Sequence, residues 1–245
     1  IPELGMDYEE YKELSRRIDT IYHCAADVRH YSADDSEEYN ANTRGTETMI
    51  AFARRSGAAL NHISTISISG EFLKDAPQQS VEYSETDFDI GQNWQDNIYI
   101  KSKFLAEARV FQAVEDGMFA RVYRVGRLVG RSTDGVFQRN QDCNAFFLVV
   151  RGICALGALP ESMAKAEIDL TPVDECAEKI VALRGAPLTV YHIMASSPCR
   201  LERAIRSLLP SLRVIPDEEF AEVLDQGVKA GQGEELSSLI DFWNR

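Results

Sequence analysis

Residues 60–67 read LNHISTIS and residues 97–105 read NIYIKSKFL. The first run is typical of a buried strand, and it places Thr65 near the carboxyl end, where open α/β sheets bind ligands. The second run has helical spacing, so Tyr99 and Lys103 share one face of the predicted helix. An ammonium beside a phenol lowers the pKa of the phenol and makes it a usable general acid, while a hydroxyl can donate to an oxygen that gains negative charge. Together the two runs predict an acid site formed by Thr65, Tyr99 and Lys103.

The same tyrosine–lysine spacing occurs a second time, at Tyr8 and Lys12. This pair precedes the first predicted strand and lies in the charged run DYEEYKELSRR. Spacing alone is therefore weak evidence, and position relative to the strands distinguishes the two pairs. We expect Tyr8 and Lys12 to lie on a solvated helix face.

Strands and helices alternate along the first half of the chain. The patterns predict strands at 20–26, 60–67, 120–125 and 188–195, helices at 7–17, 36–56 and 97–115, and a surface loop at 71–96. This alternation is typical of a parallel sheet with helices on its faces. The predicted fold class is α/β, with a Rossmann-like parallel sheet.

Two other segments do not continue the alternation and have mostly helical patterns, at 144–156, 200–209, 217–226 and 234–243. We therefore expect a nucleotide-binding and catalytic subdomain at 1–130 and 175–195. A smaller helical subdomain at 131–174 and 196–245 would bind the substrate and dock a partner.

Composition excludes several functional classes. The formal net charge of the 245 residues is -13, which disfavours binding to nucleic acid or anionic membranes. No apolar run is long enough to cross a bilayer, and the five cysteines show no Cys-x-x-Cys spacing. We expect reduced thiols, no metal site and a cytoplasmic protein.

Four ordered motifs resemble the short-chain dehydrogenase/reductase family. A hydroxyl residue followed about 30 residues later by Tyr-x-x-x-Lys resembles the signature of that family, here Thr65, Tyr99 and Lys103. The other motifs are HCAADV at 23–28, NTRGT at 42–46 and RVGRLVG at 124–130, which resembles the strand end beside the nicotinamide in extended members. One departure is Arg127, where asparagine is commoner.

Longer stretches resemble the thioester reductase branch, and most of all the reductase domains that end nonribosomal peptide synthetases. They are AADVRH at 25–30, HISTISISG at 62–70, YIKSKFLAE at 99–107, VGRSTDG at 129–135, NAF at 144–146 and LTPVD at 170–174. The resemblance covers about residues 5–200.

The resemblance implies reduction of a carrier-protein thioester on a phosphopantetheine arm, with NADPH as cofactor. Tyr99 would protonate the oxygen, Thr65 would steady it, and Lys103 would hold the ribose. The cofactor-binding residues implied are Cys24, Ala25, Ala26, Asp27, Asn42, Ser64, Lys103, Val125, Gly126 and Leu128. An upstream carrier domain is the implied partner. Candidates for its docking patch are Arg200, Arg203, Arg206 and Arg213, with a solvated helix face as the alternative for these arginines.

The glycine-rich turn that would bind the pyrophosphate is missing from this sequence, in which Gly5 stands alone before the first predicted strand. We interpret the chain as the latter part of an extended reductase that lacks its first strands. By itself it is expected to bind dinucleotide poorly and to be inactive.

Alternative functions stay open at this point. One is another extended family member, acting on nucleotide sugars, sterols or acyl-CoA. Another is a non-redox relative, either a carrier-bound cyclase or a regulatory dinucleotide-binding protein. Such relatives typically lose the tyrosine, whereas Tyr99 and Lys103 are both present here.

Overall fold

The computed structural model describes residues 2–28, 39–70, 72–76, 78–79 and 81–244. The chain divides into two compact units. Unit 1 comprises Ile1–Leu128 and Asp174–Met194, and unit 2 comprises Val129–Val173 and Ala195–Arg245. The functional roles given to such units from the sequence remain predictions.

Ten strands are formed by the residues described: β1 Thr20–His23, β2 Ala59–Thr65, β3 Ala120–Val125, β4 Leu128–Val129, β5 Ala158–Pro160, β6 Glu167–Ile168, β7 Thr171–Pro172, β8 Val190–Ile193, β9 Cys199–Arg200 and β10 Arg213–Ile215. The α-helices within the same ranges are α1 Tyr8–Ser15, α2 Gly45–Ser56, α3 Ile98–Glu115, α4 Ala145–Leu156, α5 Glu161–Ala164, α6 Val173–Ala182, α7 Leu201–Leu208, α8 Asp217–Gly227 and α9 Gly233–Trp243.

Unit 1 is built on a four-stranded sheet with the order β1-β2-β3-β8, in which every neighbouring pair is parallel. Every residue of β3 is buried, as expected for a strand covered by helices on both faces. The register pairs Thr65 at the end of β2 with Val125 at the end of β3, so the carboxyl ends of these strands lie at one edge. The Rossmann-like α/β fold predicted from the sequence is confirmed.

Local capping explains where the helix with the tyrosine begins. The Asn97 side chain accepts a hydrogen bond from the Ile100 amide at 3.1 Å, which satisfies one of the free amides at the start of α3. Gly117, with φ of 88°, follows the end of the helix in a conformation that favours glycine. The buried side of α3 contributes Val110 to a core that includes Leu60 of β2 and Val122 of β3.

The segment before α3 packs against that helix through aromatic side chains. Trp94 and Phe88 both stack on Phe104, with ring centroids at 4.2 and 4.3 Å, and Phe88 meets Phe111 edge-on at 4.9 Å. Gln92 is buried and donates to the carbonyl oxygens of Ile68 and Phe88. The segment predicted as a surface loop is therefore anchored to the helix.

Unit 2 has its own hydrophobic core, which includes Ile153, Ile205, Phe220 and Leu236. Strands β5 and β10 pair in parallel, and β6 and β9 pair antiparallel. The predicted helices of this part are present with bounds within one residue of those expected, whereas helix α5 and the short strands were not predicted. Helix α6, which lies in unit 1 except for Val173, was not predicted either. None of the helices described is long and apolar enough to cross a membrane.

Candidate active site

Thr65 and Tyr99 meet at the carboxyl end of β2. Thr65 is the last residue of the strand, and its hydroxyl caps the 3-10 turn Ile66–Ser69 by accepting from the Ser67 amide at 3.1 Å. Tyr99 lies in the first turn of α3, and a side-chain hydrogen bond joins it to Thr65. The strand end and the helix start thus bring two hydroxyl groups together, as the sequence predicts.

Lys103 lies one turn further along α3 and is buried. Its ammonium donates to the Ile63 carbonyl of β2 at 2.6 Å. Burial lowers the pKa of Lys103 to about 8, and the nearby Glu107 carboxylate and Cys24 thiol oppose that shift. Lys103 therefore titrates much closer to neutral pH than an exposed lysine does.

The electrostatics of Tyr99 differ from the expectation that Lys103 lowers its pKa. Burial raises the pKa of Tyr99, and the hydrogen bond with Thr65 is the influence that opposes this rise. The ammonium of Lys103 is directed instead to the Ile63 carbonyl. Tyr99 therefore holds its proton at neutral pH, as a group that donates a proton must.

The segment after β1 presents small exposed residues. Cys24, Ala25 and Ala26 are exposed, and Asp27 is half-buried. Burial raises the pKa of the Cys24 thiol, and Lys103 opposes this. These positions agree with a surface that a ligand could reach; the part of the AADVRH motif at 29–30 lies outside the described residues.

Asn42, a predicted cofactor contact, joins two segments of unit 1. Its side chain is buried, accepts from the Asp27 amide at 2.8 Å and donates to the Asp27 carbonyl at 2.8 Å. It also donates to the Ser102 hydroxyl at 2.8 Å. Through these hydrogen bonds Asn42 fastens the segment after β1 to α3, and its contact with a cofactor stays a prediction.

Ser64, another predicted cofactor contact, is directed inward. It is buried, and its hydroxyl donates to Glu107 Oε2 at 2.7 Å, so its side chain faces the protein interior. Glu107 in turn forms an ion pair with Arg124 of β3, and neither side chain has any exposed area. This pair was not predicted from the sequence, although Tyr99, Lys103 and Glu107 follow at four-residue steps on one helix.

The last predicted segment of the site follows β3. Val125 is buried in a cluster with Tyr123 and Ile193, so its side chain serves the core. The Gly126 amide donates to the Ile193 carbonyl at 2.9 Å, and Gly126 and Leu128 are half-buried. This backbone borders the same sheet edge as Thr65.

Two other predicted groups lie on the surface. Tyr8 is exposed, and Lys12 forms a surface ion pair with Glu9, so this pair lies away from the strand ends. Of the arginines predicted to dock a carrier, Arg206 pairs with Glu202 at 2.8 Å and Arg213 with Glu219 at 3.9 Å. All four arginines are exposed: Arg200, Arg203, Arg206 and Arg213.

The donor set of unit 1 fits one end of a nicotinamide dinucleotide. A phenol, a threonine hydroxyl and an ammonium lie around β2 and α3, beside the exposed residues Cys24–Ala26, and could bond a ribose and a carbonyl. No glycine-rich turn in this sequence matches the pyrophosphate. Across the ranges described, no three His, Cys, Asp or Glu side chains group together as metal ligands would.

A family model described as Male sterility protein, an NAD-binding family, matches residues 1–180. The chain belongs to this Male sterility protein family. The cofactor class of this family is accordingly a nicotinamide dinucleotide. The family match and the similar proteins below confirm the predicted resemblance to extended short-chain dehydrogenases/reductases and to the reductase domains of peptide synthetases.

One relative is a linear gramicidin synthase of Brevibacillus parabrevis, 27% identical over 98% of this chain and 5% of the synthase. A thiolation-reductase di-domain from an archaeal non-ribosomal peptide synthetase superposes with a TM-score of 0.83 and 32% identity, over 96% of this chain and 50% of that chain. The terminal R domain from the myxalamid PKS-NRPS pathway gives 0.82 and 27%, over 98% and 60%. The chain thus spans about half the length of these reductase structures.

Proposed function

We propose that the full-length protein reduces an acyl or peptidyl thioester held on the phosphopantetheine arm of a carrier protein and releases an aldehyde or alcohol. The observation that carries this proposal is the hydrogen-bonded Thr65–Tyr99 pair at the carboxyl end of β2, with Lys103 one turn along α3. The relatives support the substrate class, because they include a thiolation-reductase di-domain and a terminal R domain of peptide synthetases.

In the proposed reaction the carbonyl oxygen of the thioester gains negative charge and takes the proton of Tyr99. A reduced nicotinamide, when bound, would supply the hydride for the carbonyl carbon. Thr65, which is hydrogen-bonded to Tyr99 in the free protein, would direct its single hydroxyl hydrogen to the same oxygen. Lys103, as an ammonium, would bind the ribose of the cofactor. The hemithioacetal so formed loses its C–S bond and gives an aldehyde and a free thiol.

NADPH is the proposed reductant, by resemblance to the thioester reductase branch. An upstream carrier protein domain is the proposed partner. A cytoplasmic location is proposed as well, and it agrees with the use of NADPH and of a carrier. Unit 1 would bind the cofactor and perform the chemistry. Unit 2 would bind the acyl chain and the carrier.

The test uses the full-length protein with a carrier-bound acyl thioester and either NADPH or NADH, monitored at about 340 nm while free thiol and aldehyde are quantified. We expect one NADPH to be oxidised for each thiol released, and two where the product is an alcohol. Release of thiol without oxidation of the nicotinamide would overturn the proposal in favour of a cyclase or hydrolase.

A further inference from the structure

A fully buried ion pair lies behind the proposed active site. Arg124 Nε donates to Glu107 Oε1 at 2.8 Å, and Arg124 Nη2 donates to the same oxygen. Both side chains have 0% exposed area. Taking two charges out of water costs several kcal/mol for each ion, so a buried pair is weak evidence for a contribution to stability alone. We therefore look for a functional role of the pair in its position behind the site.

The surroundings fix the carboxylate in one place. Ser64 Oγ donates to Glu107 Oε2 at 2.7 Å, so both oxygens of the carboxylate are occupied. Arg124 Nη1 donates to the Ser84 carbonyl at 3.3 Å and lies 3.3 Å from His192 Nε2. Groups from β2, β3, β8 and the segment before α3 thus hold Glu107 one helical turn beyond Lys103.

Lys103 needs a counter-charge, and Glu107 is placed to supply it. The hydrogen-bond partner of the ammonium is the neutral carbonyl of Ile63. The titratable groups that face Lys103 from other elements are His23 and Cys24 at the end of β1 and His62 of β2. Burial lowers the pKa of both histidines and raises the pKa of the thiol, so all three are neutral near pH 7. Glu107 is the largest of the influences that raise the pKa of Lys103.

The charge state of Glu107 follows from its partners. Burial raises the pKa of Glu107, while Arg124, Ser64 and Lys103 act in the opposite direction. An arginine cannot lose its proton in a protein, and the carboxylate accepts three hydrogen bonds. We therefore assign Glu107 as the anion, with one unit of negative charge shared by the Arg124 and Lys103 cations.

We propose that Glu107 is a positioning residue for the reduction, whose carboxylate, fixed by Arg124 and Ser64, keeps Lys103 in its ammonium form beside Tyr99. This inference rests on the proposed function, in which Lys103 acts as a cation. It adds a residue that touches neither substrate nor cofactor.

The direct test follows the titration of Lys103 by the 13Cε NMR shift of labelled lysine in the full-length protein, with Lys103→Arg used to assign the signal. We expect a pKa near 8 in the wild type. Glu107→Gln, which keeps the shape and an acceptor oxygen, should lower it by about one unit or more. The control Glu115→Gln, an exposed position on the same helix, should leave it unchanged. A Lys103 titration that Glu107→Gln leaves unmoved would overturn the inference.

The pH profile of thioester reduction gives a second readout. Because the pKa of Tyr99 is raised, the first alkaline loss of activity should report Lys103. In Glu107→Gln the alkaline fall in activity should move to lower pH by about one unit or more. In Glu107→Asp, which keeps the carboxylate, it should lie close to its wild-type position. A lower rate at every pH, with the alkaline fall unmoved, would show a merely structural role. If the wild-type protein does not reduce thioesters, but Glu107→Gln lowers the pKa of Lys103 as expected, the proposed function is overturned. The effect of Glu107 on the charge of Lys103 then still holds.

Removal of one partner from a buried pair can prevent folding. The double variant Glu107→Gln with Arg124→Met removes both charges and should fold more readily. The pKa of Lys103 should still fall in this variant, because the carboxylate that raises it is gone. A wild-type titration of Lys103 in the double variant would refute the inference.

Discussion

At the residue scale, the site is a set of buried polar groups whose charges are set by burial. His23 illustrates this: its ring nitrogen Nε2 lies 3.2 Å from the Thr46 hydroxyl, and burial followed by the charge of Lys103 lowers its pKa to about 4 from the ordinary 6.5. Asn42 and Ser64 are likewise turned inward and position their neighbours.

The lowered pKa of His23 predicts a stability loss in acid. Between pH 6.5 and 4 the unfolded chain binds the extra proton, so the stability that neutral His23 contributes is complete above pH 6.5 and is lost as the pH falls towards 4. The full difference corresponds to about 3 kcal/mol. Chemical unfolding of wild type and His23→Gln from pH 7 to 4 should show a smaller loss in the variant. Parallel pH dependences would contradict this.

At this scale the sequence predicted Thr65, Tyr99 and Lys103 but not the roles of Asn42, Ser64 and Glu107. The three predicted residues follow from strand and helix spacing, which is local. Asn42 is committed to Asp27 and Ser102, and Glu107 to Arg124, and only the folded chain brings these partners together. Burial also decides the pKa of Tyr99, and it cannot be read from the spacing to Lys103.

At the element scale, periodicity and caps predicted β2, β3 and α3 to within about two residues. Helix α6 was missed because its ten residues lie between short strands, without the long apolar stripe that marked α3. The packing of residues 88–94 was missed as well, since its aromatic partners lie on α3.

The aromatic stack on α3 predicts which phenylalanine holds the preceding segment. Phe104 is 4% exposed and carries both Trp94 and Phe88, whereas Phe119 is 60% exposed. Phe104→Ala should lower the free energy of unfolding by about 3–5 kcal/mol and change the Trp94 fluorescence. Phe119→Ala, the matched control, should cost less than about 1 kcal/mol despite Arg121 over its ring. Equal losses in a denaturant titration would refute this account of the segment.

At the scale of the whole molecule, the proposed function requires a carrier to bring its thioester to unit 1. Because the net charge of the chain is -13, we expect an acidic carrier to dock on a locally basic surface. Arg206 and Arg213 pair with acids of the chain itself, so Arg200 and Arg203 are the better candidates of the four.

Replacing both candidates tests the docking patch. Arg200→Glu with Arg203→Glu should raise KM for a carrier-bound thioester by about fivefold or more, because rim charges steer association. KM for a small acyl-pantetheine should not change. Arg17→Glu, an exposed position in unit 1, serves as the charge control. An unchanged KM for the carrier in the double variant would remove these arginines from the docking surface.

The proposed reduction depends on the hydroxyl of Tyr99 as the proton donor at the end of β2. The most direct measurement is the rate of NADPH-dependent thioester reduction by the full-length protein carrying Tyr99→Phe, beside the control Tyr8→Phe on the exposed pair of the same spacing. We predict a loss of about 100-fold or more in kcat for Tyr99→Phe and a wild-type rate for Tyr8→Phe. A Tyr99→Phe protein that keeps most of its rate would contradict the account.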